Sequence, residues 1–183
     1  MKIIVGITGA SGSIYARLLT ERLVECPQVE EVALIATDNG RAVAEFEGVA
    51  LPQSDKIRWV NNNDMFDAVA SGSARYDAMA VVPCSMGTLG RIASGVSADL
   101  LGRAADVMLK ERRRLVLCVR ETPLSLIHIQ NMERVTLAGG VILPASPSFY
   151  SHPTTIEEAC ATVIERLLCH IGIEAPHFEW QGK

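Results

Sequence analysis

A turn rich in glycine and hydroxyl groups stands near the start of the sequence. It reads Thr8-Gly-Ala-Ser-Gly12, between the apolar run Lys2–Ile7 and a helical pattern at Ile14–Cys26. Backbone N–H groups at a helix start, together with the helix dipole, favour a bound anion. Glycine lets the chain turn sharply and lets a ligand approach the backbone without a Cβ atom in the way. The turn therefore predicts a site for a phosphorylated cofactor.

Further side chains that could do chemistry follow other apolar runs. A second turn of hydroxyl groups and glycine, Pro83-Cys-Ser-Met-Gly-Thr88, precedes another helical pattern, and its plain alternative is a helix N-cap at Ser85. Arg120 and Glu121 follow a later run. The arginine could bind a phosphate or a flavin carbonyl and the glutamate could transfer a proton, whereas a salt bridge between them is the alternative.

Two residues near the end of the sequence suggest a second anion site. The last helix starts a few residues beyond Tyr150 and contains Arg166. Together these side chains could hold an anionic second substrate, because an arginine offers a planar set of donors to a phosphate. For Arg166, an exposed position on the helix surface is the alternative.

Apolar runs alternate with amphipathic segments along the whole chain. The predicted strands are Lys2–Ile7, Glu31–Ala36, Ala78–Val82, Leu115–Val119 and Val141–Leu143. The predicted helices are Ile14–Cys26, Gly40–Glu45, Met86–Ala93, Leu100–Arg112, Ser125–Leu137 and Thr155–Ile171. Thr155 and Glu158 have the spacing of a capping box. The segment Pro52–Tyr76 is the least regular, and its Asn61-Asn-Asn-Asp64 is predicted to be a surface loop.

This alternation predicts an α/β fold, because strands that are apolar on both faces belong in a parallel sheet covered by helices on both sides. In an open sheet of this kind, ligands bind beyond the C-terminal ends of the strands. The turns named above all follow predicted strands, so we expect them to meet at one edge. Their hydroxyls, glycines, arginine, carboxylates and tyrosine suit a phosphate, an extended heteroaromatic ring and acid–base chemistry.

The composition predicts one domain over residues 1–183 and argues against several classes of protein. The formal net charge is −4, and basic residues cluster only at Lys110-Glu-Arg-Arg-Arg114, which is typical of a solvated helix end and not of a nucleic-acid surface. No apolar stretch approaches the roughly 18 residues of a membrane span, and no export signal is evident. The five cysteines and four histidines are widely spaced, so we expect reduced thiols, a cytoplasmic protein and no metal site.

The first turn by itself is also typical of nicotinamide-dependent epimerases and short-chain dehydrogenases, and Asp38 stands where a ribose-binding acid would. Those enzymes need a tyrosine and a lysine four residues apart. The three tyrosines of this chain are followed four positions later by Leu19, Ala80 and Thr154. The sequence therefore lacks the catalytic pair of a dehydrogenase.

Several motifs together resemble one family, the UbiX-type flavin prenyltransferases. The segments that carry the resemblance are Thr8-Gly-Ala-Ser-Gly12, Ala70-Ser-Gly-Ser73, Pro83-Cys-Ser-Met-Gly-Thr-Leu89, Arg103-Ala-Ala-Asp-Val-Met-Leu-Lys-Glu-Arg112, Leu115-Val-Leu-Cys-Val-Arg-Glu-Thr-Pro-Leu124, Ile127-His-Ile-Gln-Asn-Met132, Phe149-Tyr150 and Trp180-Gln-Gly182. They extend over essentially the whole chain.

The resemblance implies a three-layer, Rossmann-like (flavodoxin-like) fold that binds FMN at a subunit interface, in a homo-oligomer that is usually a dodecamer. It implies transfer of the dimethylallyl group of dimethylallyl phosphate to N5 and C6 of reduced FMN, without a metal. The product would serve a UbiD-type decarboxylase as its cofactor.

The motifs also imply roles for individual residues. The expected FMN contacts are Gly9, Ala10, Ser11, Thr37, Ser85, Met86, Gly87, Thr88 and Arg120. Tyr150 and Arg166 would hold the prenyl phosphate, with Lys110 and Arg103 supplying further positive charge. Glu121 would be the acid that assists departure of the phosphate, and Ser11 would lie near the reacting edge of the flavin.

The sequence departs from the family pattern at two positions. Ala36 stands where the family has a serine that contacts the flavin, and Thr37 could replace it. Phe46 stands where the family has a glutamate, and Glu45 or Glu47 could take that role. Two other functions therefore stay open: an FMN-dependent cysteine decarboxylase of the same superfamily, and a flavin carrier without catalytic activity. The decarboxylase needs a histidine in the first half of the chain, where none precedes His128.

Overall fold

The computed structural model describes residues 1–174, in which strands and helices alternate. The strands are β1 Lys2–Ile7, β2 Glu31–Ala36, β3 Ile57–Val60, β4 Ala78–Cys84, β5 Arg114–Val119 and β6 Val141–Pro144. The helices are α1 Ser13–Glu25, α2 Asp38–Phe46, α3 Met86–Ala93, α4 Leu100–Lys110, α5 Leu126–Leu137 and α6 Ile156–Ile171. The predicted motif Trp180-Gln-Gly182 lies outside the described residues.

All six strands are parallel and form one sheet in the order β3-β2-β1-β4-β5-β6. The predicted α/β fold is confirmed, and the ends of the predicted elements differ from the observed ones by no more than two residues. The order reverses its direction between β1 and β4. Because the chain leaves the sheet to opposite sides there, the carboxyl ends of these strands border a natural crevice for a ligand.

The central strands bury side chains on both faces of the sheet. On β1, Ile3 and Val5 pack with α1 and α6, whereas Ile4 packs in the second core with α3, α4 and α5. This arrangement explains why the strands read as continuous apolar runs without alternation. Among the helices of residues 1–174, none is both long enough and apolar enough to cross a membrane.

Strand β3 was missed in the sequence, where this region was predicted to be irregular. It is a short edge strand whose Arg58 belongs to a polar network. The Arg58 guanidinium donates to Glu31 at 2.9 Å and to Asp67 at 2.6 Å, and the hydroxyl of Tyr76 donates to Glu31 at 2.7 Å. A charged residue in a four-residue strand removes the apolar pattern by which the other strands are recognised.

The residues of the predicted capping box at the start of α6 make more bonds than the pattern requires. Thr155 accepts a hydrogen bond from the N–H of Glu158 at 3.1 Å, and the Glu158 carboxylate accepts from the N–H and the hydroxyl of Thr154 at 2.6 and 2.8 Å. A complete capping box is found at the start of α5, between Ser125 and His128.

The start of helix α2 lies close to the end of β1, and the residue at the point of contact is a glycine. A Cβ atom at Gly40 would lie 2.5 Å from the carbonyl oxygen of Ile7, and the N–H of Thr37 donates to the same oxygen at 3.0 Å. The absence of a side chain at Gly40 thus lets the start of α2 lie against the turn that follows β1.

We expect Gly40→Ala to lower the free energy of unfolding by about 1–3 kcal/mol, because the added methyl group overlaps backbone atoms that cannot rotate away. Gly87→Ala is the matched control, since the nearest atom to its new Cβ is the mobile end of Arg91 at 3.9 Å. Urea unfolding of the flavin-free protein, followed by circular dichroism, measures both. An equal loss of stability in the two variants would contradict the close approach at Gly40.

Candidate functional site

Two cavities lie at the carboxyl edge of the sheet, where the sequence predicted the site. The first, which we call the helix-end cavity, has a volume of about 540 Å³ and lies beyond the ends of β2, β1 and β4. The second, the Arg120 cavity, has a volume of about 370 Å³ and lies beyond the ends of β5 and β6. Since β4 and β5 are neighbours in the sheet, the two cavities lie side by side.

The helix-end cavity is bordered by the N-termini of three helices. Thr37 caps α2 by accepting from the N–H of Gly40 at 3.0 Å, and Ser85 caps α3 by accepting from Thr88 at 3.3 Å. Asp99 caps α4. Each helix N-terminus carries about half a positive charge, so the starts of α2 and α3, which are capped by neutral hydroxyls, favour a bound anion. Ser85 is therefore the N-cap of α3, as one of the two interpretations of the sequence predicted, and it also lines the cavity.

The predicted FMN residues are distributed over this edge in different ways. Those that line the helix-end cavity are Gly9, Thr37, Ser85, Gly87 and Thr88. Arg120 lines the neighbouring cavity. Ala10 and Met86 are buried, each 8 % exposed, and Met86 packs in the core. A ligand would meet the backbone of Met86, because its side chain is committed to that core.

Thr8 holds the two glycine-containing turns together. It is 1 % exposed; its hydroxyl donates to the carbonyl of Pro83 at 2.7 Å and accepts from the N–H of Ser85 at 2.8 Å. On the other side of the second turn, the N–H of Arg120 donates to the carbonyl of Cys84 at 3.2 Å. These bonds fix the ends of β1, β4 and β5 relative to one another.

Glu47 occupies the N-terminus of α1. Its carboxylate accepts from the N–H groups of Gly12 at 2.9 Å and Ser13 at 2.7 Å, and the hydroxyl of Ser11 donates to it as well. Although partial burial opposes the shift, these hydrogen bonds hold the pKa of Glu47 below its usual value. Of the two glutamates that the sequence left open, Glu47 is the one that reaches the first turn.

This contact corrects the first expectation drawn from the sequence. The N–H groups that begin α1 were predicted to bind the phosphate of a cofactor, yet two of them already bind a carboxylate of the chain itself. The geometry favours the N-termini of α2 and α3 for that role, because the first N–H groups of α4 are likewise bound by the chain, to Asn62 and Asp99. What the first turn offers a ligand is the backbone of Gly9 and the hydroxyl of Ser11.

The Arg120 cavity combines charge with an apolar wall. Arg120 and Glu121 line one part of it, and Leu124 and Met132 line another. The carboxylate of Glu121 accepts from the N–H of Thr122 at 2.9 Å. An acid, a cation and an apolar surface in one cavity suit a substrate with an ionic end and a hydrocarbon end.

The loop after β6 brings Tyr150 towards the middle of α6. The N–H of Ser148 donates to the hydroxyl of Thr162 at 2.9 Å, so this loop runs back along the helix. Arg166 follows Thr162 by four residues and therefore lies one turn further on the same helix face. The structure thus brings the loop that contains Tyr150 beside the helix that carries Arg166, but both side chains are exposed, and Arg166 has the surface position that the sequence left as its alternative.

Arg103 and Lys110 are not brought to the other predicted anion-binding residues within one chain. Arg103 donates to the carbonyl of Ala70 at 3.1 Å and to Asp106 at 2.7 Å. Lys110 ends α4, pairs with Glu111, and lies roughly 15 Å along the helix axis from the start of α4, near the amino end of β5. Glu121 follows the carboxyl end of that strand, so Lys110 and Glu121 stand at opposite edges of the sheet.

Sequence analysis missed several residues of the helix-end cavity, and three of them have polar side chains that make contacts there, Asn62, Asp99 and Arg91. Asn62 and Asp99 line it and also bind the first N–H groups of α4. Arg91, the third, follows Thr88 by three residues, and this helical spacing could have identified it. Asn62 lies in a loop whose sequence has no periodicity, so only the fold shows its place.

Within residues 1–174, no group of three or more histidine, cysteine, aspartate or glutamate side chains is arranged to hold a metal ion. The candidate site is instead one of backbone N–H groups, hydroxyls, arginines and carboxylates. Such groups bind phosphates and transfer protons.

Comparisons with known proteins agree with this description. A family model described as Flavoprotein matches residues 1–171. The flavin prenyltransferase UbiX of Methanocaldococcus jannaschii is 40% identical over 100% of this chain and 99% of its own length. A dodecameric FMN-dependent UbiX-like decarboxylase from Escherichia coli O157:H7 superposes with a TM-score of 0.90, at 41% identity and 100% coverage of both chains.

A crystal structure of AnUbiX in complex with FMN and dimethylallyl pyrophosphate has a TM-score of 0.88 and 41% identity, covering 100% of this chain and 98% of that one. The FMN-dependent cysteine decarboxylase SpaF is 17% identical with a TM-score of 0.59, covering 89% of this chain and 97% of that one. At that identity the likeness extends to the fold alone.

The contact of Glu47 with the first turn predicts a pH-dependent loss of stability in Glu47→Gln. At pH 7 we expect the variant to unfold more easily by about 0.5–2 kcal/mol, the usual contribution of a residue that caps a helix. Because the pKa of Glu47 is lowered on folding, its stabilising effect is complete above its ordinary value of 4.5 and is lost as the pH falls through the lower value of the folded state.

The difference between wild type and Glu47→Gln should therefore narrow in acid, as measured by urea unfolding between pH 7 and pH 3. Glu45→Gln is the matched control, because Glu45 is an exposed carboxylate on the same helix. A constant difference across this range, or an equal effect of the control, would show that the Glu47 carboxylate does not stabilise the turn.

Proposed function

Since this chain belongs to the UbiX family of flavin prenyltransferases, as its motifs predicted, we propose that it joins the dimethylallyl group of dimethylallyl phosphate to N5 and C6 of reduced FMN. The side-by-side cavities carry this proposal. One is bordered by three helix N-termini and suits the phosphorylated side chain of the flavin, and the other holds Arg120 and Glu121 against an apolar wall. Reduced FMN, when bound, supplies the electron-rich atoms that attack the prenyl group.

The residues present fit FMN at both ends. Thr37, Ser85 and Thr88 offer hydroxyls, and the starts of α2 and α3 offer N–H groups, to the ribityl phosphate. Gly9 lines the same cavity, and its lack of a side chain lets Asn39 lie close, since a Cβ atom there would be 2.6 Å from the Cβ of Asn39. Arg120 would donate to a carbonyl of the ring at the neighbouring cavity.

Glu121, Tyr150 and Arg166 would act on the second substrate. Breaking the allylic C–O bond develops positive charge on the prenyl group and negative charge on the departing phosphate. Arg166 and the Tyr150 hydroxyl would stabilise the phosphate, and Glu121 would give it a proton. The apolar wall at Leu124 and Met132 would keep water from the prenyl group.

Ser11 would serve the flavin side of the same reaction. New bonds at N5 and C6 displace ring hydrogens, and their protons must be accepted at the first turn or by the substrate. The Ser11 hydroxyl donates its hydrogen to Glu47, which leaves its oxygen free to accept a proton from the ring. Glu47 would thus take the role of the family's glutamate, at whose position this chain has Phe46.

Arg103 and Lys110 would come from neighbouring copies of the chain. Lys110 stands at the amino edge of the sheet, and so can join the phosphate site only across an interface. Helix α5 supports assembly, because Leu126, Ile127 and Ile129 are 68%, 67% and 51% exposed. One related structure is dodecameric, and we propose the same assembly here.

We further propose that the unit of function is one flavoprotein domain over residues 1–183, acting in the cytoplasm and passing the prenylated flavin to a UbiD-type decarboxylase. The single sheet, with α6 returning to pack beside α1, supports one domain. Five free cysteines are compatible with a reducing compartment. Because the chain belongs to the UbiX family, the two alternatives, a cysteine decarboxylase and a flavin carrier, are less favoured.

The direct test is anaerobic incubation of the protein with reduced FMN and dimethylallyl phosphate, followed by mass and absorbance measurements of the flavin. We expect the flavin mass to increase by one prenyl unit. Glu121→Gln and Tyr150→Phe should slow this step by about 10-fold or more without abolishing FMN binding, because each removes a group that acts on the leaving phosphate.

Glu25→Gln, at an exposed position in the last turn of α1, is the control and should react at the wild-type rate. A flavin of unchanged mass would rule out the transferase and favour the carrier. Unchanged rates in both Glu121→Gln and Tyr150→Phe would remove these residues from the mechanism.

The placement of Lys110 predicts complementation between defective copies. Lys110→Ala and Glu121→Gln should each be slow when assembled alone. When the two are co-expressed in one assembly, we expect about a quarter of the wild-type rate, because random mixing leaves that share of the sites with both residues intact. A mixture no faster than the average of the two separate variants would show that Lys110 does not serve a neighbouring site.

A further inference from the structure

Arg91 is a cation of the helix-end cavity to which the proposed function assigns no role. It lies on α3, one turn after Thr88, and its side chain is 40% exposed. One of its terminal nitrogens, Nη2, donates to the Thr88 hydroxyl at 3.2 Å. The Thr88 hydroxyl also accepts from the Ser85 hydroxyl at 3.1 Å. Because Thr88 is the acceptor in both hydrogen bonds, its own hydrogen can be donated to another group. Thr88 itself is 2% exposed.

The ion pair that holds Arg91 in this position is weak. Nη2 lies 4.0 Å from Oδ2 of Asp99, whereas Oδ1 of Asp99 accepts from the N–H of Gly102 at 2.8 Å. The Asp99 carboxylate therefore binds mainly the start of α4, and its distance to the Arg91 guanidinium is the longest at which two groups still count as an ion pair. A pair of this kind, open to solvent, contributes little free energy. Arg91 can turn to a stronger partner at small cost.

The other charges of the cavity indicate what that partner is. Arg91 is the cationic side chain among the described residues that line it, and Asp38 and Asp99 are its carboxylates. With the carboxylate of Asp99 engaged at the start of α4, the N-termini of α2 and α3 and the guanidinium of Arg91 border the cavity. A phosphate monoester, with its oxygens able to accept from a planar guanidinium and from N–H groups at once, matches these donors.

We infer that Arg91 binds the 5′-phosphate of FMN in the helix-end cavity and makes the protein select the phosphorylated flavin over riboflavin. The inference rests on the proposed function for the identity of the flavin. Asp38, at the start of α2 in the same cavity, opposes this selection, because its carboxylate repels the phosphate. Arg91 thus offsets the acid that stands beside Thr37.

The test compares the binding of two flavins that differ only in the phosphate. Dissociation constants of oxidised FMN and of riboflavin are measured by fluorescence titration of the flavin-free protein. Arg91→Gln should weaken FMN binding about 10- to 100-fold, the usual effect of losing a hydrogen bond between charged partners, and should leave riboflavin binding unchanged. Arg91→Lys should recover part of the FMN affinity, because it keeps the charge but loses the planar donors.

Two further variants sharpen the result. Asp38→Asn should strengthen FMN binding by about two- to fivefold, as expected for removing an exposed like charge, and should not affect riboflavin. Arg22→Gln removes an exposed arginine from the far end of α1 and should alter neither constant. Raising the salt concentration should weaken FMN binding more in the wild type than in Arg91→Gln.

An equal loss of affinity for both flavins in Arg91→Gln would show that Arg91 only supports the fold of α3, and unchanged FMN affinity would place the phosphate elsewhere. Either result overturns the inference while the proposed function stands. A wild-type protein that bound neither flavin would contradict the proposed function, and this inference with it.

Discussion

The hydroxyl group of Thr8 joins the two turns from which the site is built. Thr8 belongs to the first turn, and its hydroxyl donates to Pro83 and accepts from Ser85 in the second, in surroundings where an unpaired polar group would cost about 1–3 kcal/mol. The end of β1 and the start of α3 are therefore held at a fixed separation by one buried side chain. Everything that a ligand meets at the centre of the carboxyl edge, from Gly9 to Thr88, depends on that separation.

The charges at this edge are divided between two tasks. At the start of α1 the chain supplies its own carboxylate, Glu47, which also accepts a hydrogen bond from the Ser11 hydroxyl. The starts of α2 and α3 border a cavity, and there the chain supplies a guanidinium from Arg91. Similar helix starts thus differ in whether a carboxylate or a guanidinium of the chain lies nearby.

Most of the fold was predictable because the buried strands are apolar on both faces and the helices between them are amphipathic. The edge strand Ile57–Val60 was not, since its partly exposed positions and the charged Arg58 leave no such pattern. The carboxyl edge of the sheet was predictable from topology alone. The choice between Glu45 and Glu47 depends on the angle at which α2 meets β1, which no local motif encodes. The predicted α4 and β5 already put Lys110 and Glu121 at opposite ends of one strand, whereas the motif resemblance groups the two residues without regard to their positions in the fold.

Both edges of the sheet are poor templates for another strand. At one edge, β3 has four residues and its Arg58 is tied to Glu31 and Asp67; at the other, β6 has four residues and ends in Pro144, which has no N–H group to donate. Short, charged or proline-terminated edges prevent chains from joining sheet to sheet. The chain exposes apolar side chains on α5, yet both edges of its sheet are thereby protected from the strand pairing that leads to fibrous aggregation.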